Sequence, residues 1–343
     1  MQIGIIGTQQ DKRCQGISQF LEQQGVEAVF VDSCSLQEQA PWSFDGSVWR
    51  YLGRDLGTVS AWYMATYPPA MPASWTDYED HYLYQDWYID YMHKREHRGF
   101  MLAWLSSLVQ RGVPVINPPE HMFGQQLKPL ELQLAREVGL EIPKTLISND
   151  PEAVRAFVAE LPDVVYKPLT GYGICRPVSD AELRQLDRLK ASPVIFQQRV
   201  QGTAVRATFV DRQLISAARL PSESLDYRND AEYEAGRQVY QPMQLPEPIV
   251  SACQAYLERA GLLFAGIDLI ETADGRYVFL EANSSPMYLE LEIRTRHPIT
   301  FELATALLKY ANDPKAYGEA KAAGRQKQGF VPYVLPFGKD LWT

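Results

Sequence analysis

Cysteine is scarce in this chain: four among 343 residues, Cys14, Cys34, Cys175 and Cys253, far apart and without a CxxC pair. That excludes a disulfide framework and a zinc site of ordinary spacing, and leaves the cysteines as small buried side chains. Histidine is sparse too, with five scattered residues, and no Ser-His-Asp constellation is evident. No stretch approaches the roughly 18 consecutive apolar residues of a spanning helix, so no membrane partner is expected. Runs of Lys or Arg are missing: the net charge is −9 with both signs interspersed, which argues against a nucleic-acid backbone as the main partner. The opening Met1-Gln-Ile-Gly-Ile-Ile-Gly7 lacks the basic region of a signal peptide, and a cytoplasmic location is expected. There is no internal repeat and no low-complexity segment.

What is present is apolar content of 46%, enough for two or three domains with cores of their own. The first thirty-odd residues read as βαβ: a strand over 3–6, a helix through Ile17, Phe20 and Leu21, then a strand over 28–31, the opening of an α/β domain. Gly4 and Gly7 do not complete a dinucleotide fingerprint, because the third glycine is misplaced and Asp32 comes too early. The aromatic- and proline-rich stretch 62–91 reads mainly as core or interface, followed by a helix over about 84–110. Val113-Pro-Val-Ile-Asn-Pro-Pro119 is a short strand stopped by prolines, and a domain boundary falls there.

An α+β module follows. Its helix opens at Lys128-Pro129, with proline suited to the first turn, and carries Leu130, Leu134 and Val138 on one stripe. Strands over 142–147, 164–168 and 194–200 alternate with helices over about 151–161 and 180–189. An antiparallel set comes next: strands over 204–210 and 213–219 turning at Asp211-Arg212, a helix over about 248–260, and a hairpin over 265–283. A helix over 299–311 closes it. The expected divisions are 1–116, 117–200, 201–312 and a tail, 313–343, that is briefly helical and ends in Phe330-Val-Pro-Tyr-Val-Leu-Pro-Phe-Gly338.

The 265–283 hairpin carries the sharpest chemistry. Asp274-Gly275 between β-rich runs is a strong hairpin signal. With a loop of those two residues, Ala273 faces Arg276, and counting outward sets Asp268 opposite Glu281. Carboxylates side by side on a strand pair repel each other, and so call for a cation. Asn283 points to the same face and adds a neutral oxygen, completing a hard-oxygen set suited to Mg²⁺ that holds nucleotide phosphates. The alternative is a solvated acidic face, which the apolar neighbours Phe264, Ile267, Leu269, Ile270, Phe279 and Leu280 disfavour.

Lys167 ends an apolar strand directly before a loop with Gly171 and Gly173, where backbone N–H groups can approach a phosphate. Alone, that pattern is as compatible with a turn as with a site, and Lys128 alone reads as a solvated charge. Their order is more specific. Asn117-Pro, Lys128, Val138-Gly-Leu-Glu-Ile-Pro-Lys-Thr145, Lys167-Pro with its glycine loop, Phe196-Gln-Gln-Arg-Val-Gln-Gly202, Arg206, Asp268 and Leu280-Glu-Ala-Asn283 together resemble the ATP-grasp superfamily over roughly residues 113–310. Within it the chain is similar to the glutathione-synthetase-like ligases, including ribosomal-protein glutamate ligases and the maturases that cross-link microviridin-type peptides.

The resemblance implies an ATP-grasp fold, combining α/β and α+β parts, preceded by an open α/β (pre-ATP-grasp) domain. It implies that Lys128 and Lys167 contact ATP phosphates, that the loop Thr170, Gly171, Tyr172 and Gly173 covers them, and that Gln198, Arg199 and Val200 line the adenine pocket mainly through backbone groups. Asp268, Glu281 and Asn283 hold one or two Mg²⁺ ions, and Arg206 with Arg219 neutralises the transferring phosphoryl group; a structural ion pair is the alternative for Arg206. Two departures stand out: no acidic residue precedes Arg206 in Gly202-Thr-Ala-Val-Arg206, and Gln198 stands where many members have Glu.

The implied reaction joins a small-molecule or peptide carboxylate to an amine through an acylphosphate. Tyr288, Glu290, Glu292, Arg294, Arg296 and His297 are candidates on the substrate side, and 222–241 reads as a loop over the site. A maturase cyclising a precursor peptide and a non-catalytic nucleotide-binding protein are the alternatives. The 62–91 region and the apolar tail are candidate surfaces for a homo-oligomer.

Overall fold

The computed structural model describes residues 1–32, 41–66, 83–122, 127–169, 175–222 and 238–323. The expected opening is there: strand β1 (Gln2–Ile6), helix α1 (Lys12–Gln23) and strand β2 (Glu27–Val31), parallel to β1. Asp11 caps the helix by accepting from the Arg13 N–H, which satisfies one donor left open at a helix start. A small antiparallel sheet of β3 (Trp42–Phe44), β4 (Trp49–Tyr51) and β5 (Arg54–Asp55) follows, which the sequence reading did not resolve. Strand β6 (Ala61–Met64) then runs beside β1, helix α2 spans Leu83–Gln110, and β7 (Val115–Ile116) completes a parallel sheet of order β2-β1-β6-β7. Trp62 and Tyr63 are therefore core residues of a central strand.

After the one-turn helix α3 (Pro119–Met122) comes the α+β module: α4 (Lys128–Glu137), β8 (Thr145–Ser148), α5 (Pro151–Ala159), β9 (Val164–Lys167), β10 (Arg176–Pro177), α6 (Asp180–Leu183) and β11 (Val194–Gln198). Its antiparallel sheet has the order β10-β9-β11-β8. Val154, Val164, Leu186 and Phe196 form its core.

The larger antiparallel sheet, ordered β14-β13-β12-β15-β16, comprises β12 (Thr203–Val210), β13 (Gln213–Leu220), β14 (Gln241–Pro242), β15 (Phe264–Glu271) and β16 (Tyr277–Asn283), with helix α7 (Glu247–Ala260) before β15. Helices α8 (Leu289–Thr295), α9 (Ile299–Asn312) and α10 (Pro314–Ala323) follow.

Side chains alternate between the two faces of this sheet. Val205, Ala207 and Phe209 pack one face against α4 and α7, in a core with Leu134, Leu257, Ile267 and Phe279. On the other face Val210, Ala218 and Phe264 join Ile3, Ile5, Tyr63, Leu307, Tyr310 and Tyr317. One core thus crosses the division expected at 116 and continues past 313. Tyr317 donates to the Val115 carbonyl at 3.3 Å, and Arg212 donates to the Ala320 carbonyl at 2.7 Å, so the first turns of the expected tail belong to the packed body. Residues 330–338 lie outside the described residues.

The hairpin register came out as expected at Asp268 and Glu281, by a route the sequence count did not foresee. The loop has three residues, Ala273 to Gly275: Thr272 N–H donates to the Arg276 carbonyl and Gly275 N–H to the Thr272 carbonyl. Gly275 has φ +80, the left-handed residue that such loops need. This shifts the pairing to Leu269 with Phe279 and Glu271 with Tyr277, and a bulge between Asp268 and Leu269 restores Asp268 opposite Glu281. The bulge absorbs the residue that the longer loop displaces.

Candidate active site

Three adjacent strands carry the site in one row. Arg206 on β12 pairs with Asp268 on β15, and Asp268 pairs with Glu281 on β16. Arg206 forks onto Asp268, with Nε on one carboxylate oxygen and Nη2 2.9 Å from the other, a bidentate geometry that fixes both groups. Gly266 makes room for it: a Cβ there would lie 2.9 Å from Pro286 Cβ and 3.3 Å from Arg206 Cδ.

Two lysines from the other module converge on Glu281. Lys128, in the first turn of α4, places Nζ 3.1 Å from a Glu281 oxygen, and Lys167, at the end of β9, places Nζ 3.8 Å from the same oxygen. Burial pushes the Glu281 carboxyl up, but Lys128 and Lys167 outweigh it and hold the group well below the usual carboxylate range. Burial likewise pushes Lys128 down, and Glu131 with Glu281 more than compensates, so its pKa lies above the ordinary value. Both partners are charged at neutral pH.

Glu131 itself was missed in the sequence. It is 3% exposed, accepts from Lys128 Nζ at 2.8 Å and takes the Ala282 N–H on its other oxygen at 2.5 Å. The available signal was a carboxylate sharing a helical stripe with Leu134, Ala135 and Val138, where burial demands a partner.

Asn283 follows on the same face of β16, opposite Gly266, and its Oδ1 accepts from the Ser285 N–H at 2.9 Å. Among the described residues no group of three His, Cys, Asp or Glu side chains is arranged to hold a metal ion by itself. The oxygen set is two carboxylates plus an amide oxygen, which fits Mg²⁺, an ion that takes a few protein oxygens and completes its shell with water and phosphate.

The exit of β16 is clamped. Asn117, 1% exposed, accepts from the Leu263 and Phe264 N–H groups at 2.8 Å each. It donates to the carbonyls of Phe264 at 2.6 Å and Ser284 at 2.7 Å. Arg13 donates to the Pro286 carbonyl at 3.1 Å, and Ser285 Oγ to the Ala65 carbonyl at 2.5 Å. Asn117 was part of the motif series with no role attached, and Arg13 carried no signal.

Gln198, Arg199 and Val200 lead from β11 toward β12. The Gln198 N–H donates to the Lys144 carbonyl at 2.9 Å and the Arg199 N–H to the Asp163 carbonyl at 3.0 Å, so these two donors already serve the fold. Thr170, Gly171, Tyr172 and Gly173 lie outside the described residues, as does most of the 222–241 loop.

Arg219 is a correction. It pairs with Val205, not Arg206, and so occupies the opposite face of the sheet. There it forks onto Glu271, with Nη2 at 2.8 Å, and Tyr277 OH donates to the same carboxylate at 2.9 Å. Adjacent strands do not guarantee a shared face when the register differs by one residue.

The substrate-side candidates divide. Tyr288 is buried in the core. Glu292 accepts from the Thr300 N–H at 2.8 Å and so caps the start of α9. Arg296 ends α8 with φ +61. Glu290 accepts from Tyr240 OH at 3.3 Å with Arg294 Nε 4.0 Å away. His297 Nδ1 lies 2.7 Å from Ser216 Oγ, and Ser216 is on the face that carries Arg206.

Residues 133–275 match the profile of the prokaryotic glutathione synthetase ATP-grasp domain. Over 214 residues the chain is 27% identical to the tetrahydromethanopterin:alpha-L-glutamate ligase of Methanocaldococcus jannaschii, covering 58% of this chain and 71% of that protein. The ATP-grasp ligase PsnB, solved with a minimal precursor, superposes with a TM-score of 0.77 at 28% identity over 90% of this chain and 98% of its own, and has also been solved with Mg and ADP. The macrocyclase MdnC of Microcystis aeruginosa, bound with precursor peptide MdnA, superposes with a TM-score of 0.73 at 25% identity over 90% of this chain and 99% of its own. Among the described residues no helix is long and apolar enough to cross a membrane. The motif order, the fold and these likenesses agree: the chain has the ATP-grasp fold, is similar to the glutathione-synthetase-like ligases, and is an ADP-forming enzyme that makes carbon–nitrogen bonds.

Proposed function

We propose that this ligase activates a carboxylate of a peptide and joins it to an amine, with the row Arg206, Asp268, Glu281 and the lysines Lys128 and Lys167 as its phosphoryl-transfer centre. The observation that carries the assignment is the convergence of two ammonium groups from the small module on a carboxylate of the large sheet. Asp268, Glu281 and Asn283 hold one or two Mg²⁺ ions, which neutralise phosphate charge. Lys128 and Lys167 exchange Glu281 for phosphate oxygens. Thr170, Gly171 and Gly173 cover the phosphates, and Gln198, Arg199 and Val200 border the adenine. On the divisions 1–116, 117–200, 201–312 and 313–343, the first supplies substrate-side surface, the second and third form the two halves of the nucleotide site, and the third carries the metal residues.

Arg206 faces the transferring group. A carboxylate oxygen attacks the γ-phosphorus, the bond to the ADP oxygen breaks, and an acylphosphate results. The amine nitrogen then attacks the acyl carbon, the carbon–oxygen bond to phosphate breaks, and the nitrogen sheds a proton. Positioning and electrostatics carry both steps.

The peptide assignment rests on the full-length likeness to two ligases solved with precursor peptides. It favours a maturase, in which carboxylate and nucleophile belong to one chain. The test is ADP release from MgATP with acid-rich peptides, set against free amino acids with added amines, followed by mass spectrometry of the peptide. Loss of one water per ADP formed marks ring closure, whereas a mass gain equal to the amine less water marks intermolecular ligation. Turnover on free amino acids alone refutes the peptide reading.

A further inference from the structure

Building on that site assignment, we propose that Glu131 is a positioning residue for the ligase reaction, a buried carboxylate that keeps the phosphate lysine Lys128 and the metal strand β16 in register. One oxygen holds Lys128 Nζ at 2.8 Å; the other holds the Ala282 N–H at 2.5 Å. Ala282 sits between the metal-side residues Glu281 and Asn283. Both of its oxygens act as acceptors, so each donor has its own partner.

The surroundings make the role specific. β16 is the outer strand of its sheet, so its outward N–H groups lack a strand partner. Phe279 uses the Glu141 carbonyl at 2.7 Å, and Ala282 uses Glu131. Leu132, Leu134 and Ala135 on the same helix are buried apolar residues. Docking of α4 needs no charge, and a buried ion pair is seldom a net gain over apolar packing. What the carboxylate adds is a fixed second partner for Lys128. When Glu281 turns its oxygens to the metal, Glu131 keeps Lys128 charged and aimed from one turn along a rigid helix. Without it Lys128 stays on Glu281 and competes with the cation.

The experiment is calorimetric titration of the full-length protein with ADP across a series of Mg²⁺ concentrations. It compares wild type, Glu131→Gln, Lys128→Ala and the double variant, each checked for cooperative melting. Glutamine retains an acceptor for Ala282 but turns an NH₂ toward the ammonium. The expected result is about tenfold weaker ADP binding, on the scale of one charge-assisted hydrogen bond, and a higher Mg²⁺ requirement. In the Lys128→Ala background the substitution adds nothing, because the two residues act as one unit.

Electrostatics alone predicts the opposite sign, since removing an anion beside a polyphosphate tightens its binding. ADP affinity unchanged or tighter in Glu131→Gln, or an undiminished effect without Lys128, overturns the role. If Glu131→Gln does not fold, Glu131→Asp gives the same readout. It keeps the charge but cannot span both donors, and wild-type affinity there overturns the role equally. Wild-type protein that binds no ADP at any Mg²⁺ concentration refutes the site assignment itself, and the role with it.

Discussion

Replacing Asn117 with aspartate changes one NH₂ to an oxygen, and the structure says what that costs. Oδ1 still accepts from Leu263 and Phe264, but the new oxygen faces the carbonyls of Phe264 and Ser284 at the 2.6 and 2.7 Å where Nδ2 donated. An ionised carboxylate is strongly disfavoured there, and its protonated form donates to one carbonyl and leaves the other unsatisfied, at about 1 kcal/mol. Buried carboxyls rise by up to about 3–5 units. A rise of about 2–3 units, at about 1.4 kcal/mol each, adds about 3–4 kcal/mol at pH 7. The sign follows from linkage: the folded pKa lies above the unfolded value of about 3.9, so the added penalty is absent below that value. It grows as pH rises and levels off above the folded pKa. Urea denaturation followed by tryptophan fluorescence, run on wild type and Asn117→Asp from pH 5 to pH 7, measures the gap at each pH. A gap near 4 kcal/mol at pH 7 that narrows by about 2 kcal/mol at pH 5 is expected. A pH-independent gap, or one under about 1 kcal/mol at pH 7, refutes the reading of Asn117 as a fully engaged clamp.

On the proposed assignment Lys167→Ala removes one of two cations that face phosphate and is expected to raise the Kd for MgATP by at least about tenfold, the scale of one charge-assisted hydrogen bond; equilibrium dialysis giving an unchanged Kd removes Lys167 from the site. Arg219→Ala is expected to leave both kcat and the nucleotide Kd within about twofold of wild type and to lower stability by no more than about 1 kcal/mol, because its Glu271 pair is on the far face and partly solvated. A kcat loss of about tenfold or more there returns Arg219 to the catalytic machinery.

The sequence was most legible where chemistry and periodicity reinforce each other. Asp268 and Glu281 stand out because two carboxylates at matched positions on a hairpin conflict unless a cation resolves them. Their pairing survived a wrong loop length only because the bulge at Leu280 cancelled the error, and bulges leave no reliable mark in a single sequence. Arg219 failed for the complementary reason. Its position depends on the register between β12 and β13, which a one-residue difference reverses, and the Asp211-Arg212 turn alone did not fix the face. Asn117 was illegible because its partners are backbone groups of residues far along the chain, and Arg13 because only its local pair with Asp11 is near in sequence while the Pro286 carbonyl it also reaches is not; no side-chain pattern announces a carbonyl. The packed start of α10 was half visible: Tyr317 with Ala316 and Ala320 marks an apolar stripe, but nothing local says that it meets β7.

The two faces of the large sheet explain why the site lies where it does. The Val205 face is sealed by α4 and α7 around Val205, Ala207 and Phe209, and its end carries the partly solvated Arg219–Glu271 pair, already matched in charge. The Arg206 face is sealed only toward Val210 and Phe264, where the N-terminal sheet and α9 cover it. Its other end carries Arg206, Asp268 and Glu281, charges that cannot be covered by apolar side chains without large desolvation cost. The lysines of the small module meet that uncovered end, and their ammonium groups supply the neutralisation that the carboxylates require. On the proposed assignment, nucleotide phosphates and a cation entering there would substitute charge for charge, lysine to phosphate and carboxylate to metal, so that the pairs that stabilise the site would also prepare it. Such an exchange works only if both sides stay in place while partners change. The buried, two-armed Glu131 and the four-bond Asn117 clamp sit where that rigidity is needed, one between Lys128 and β16 and the other at the strand's exit.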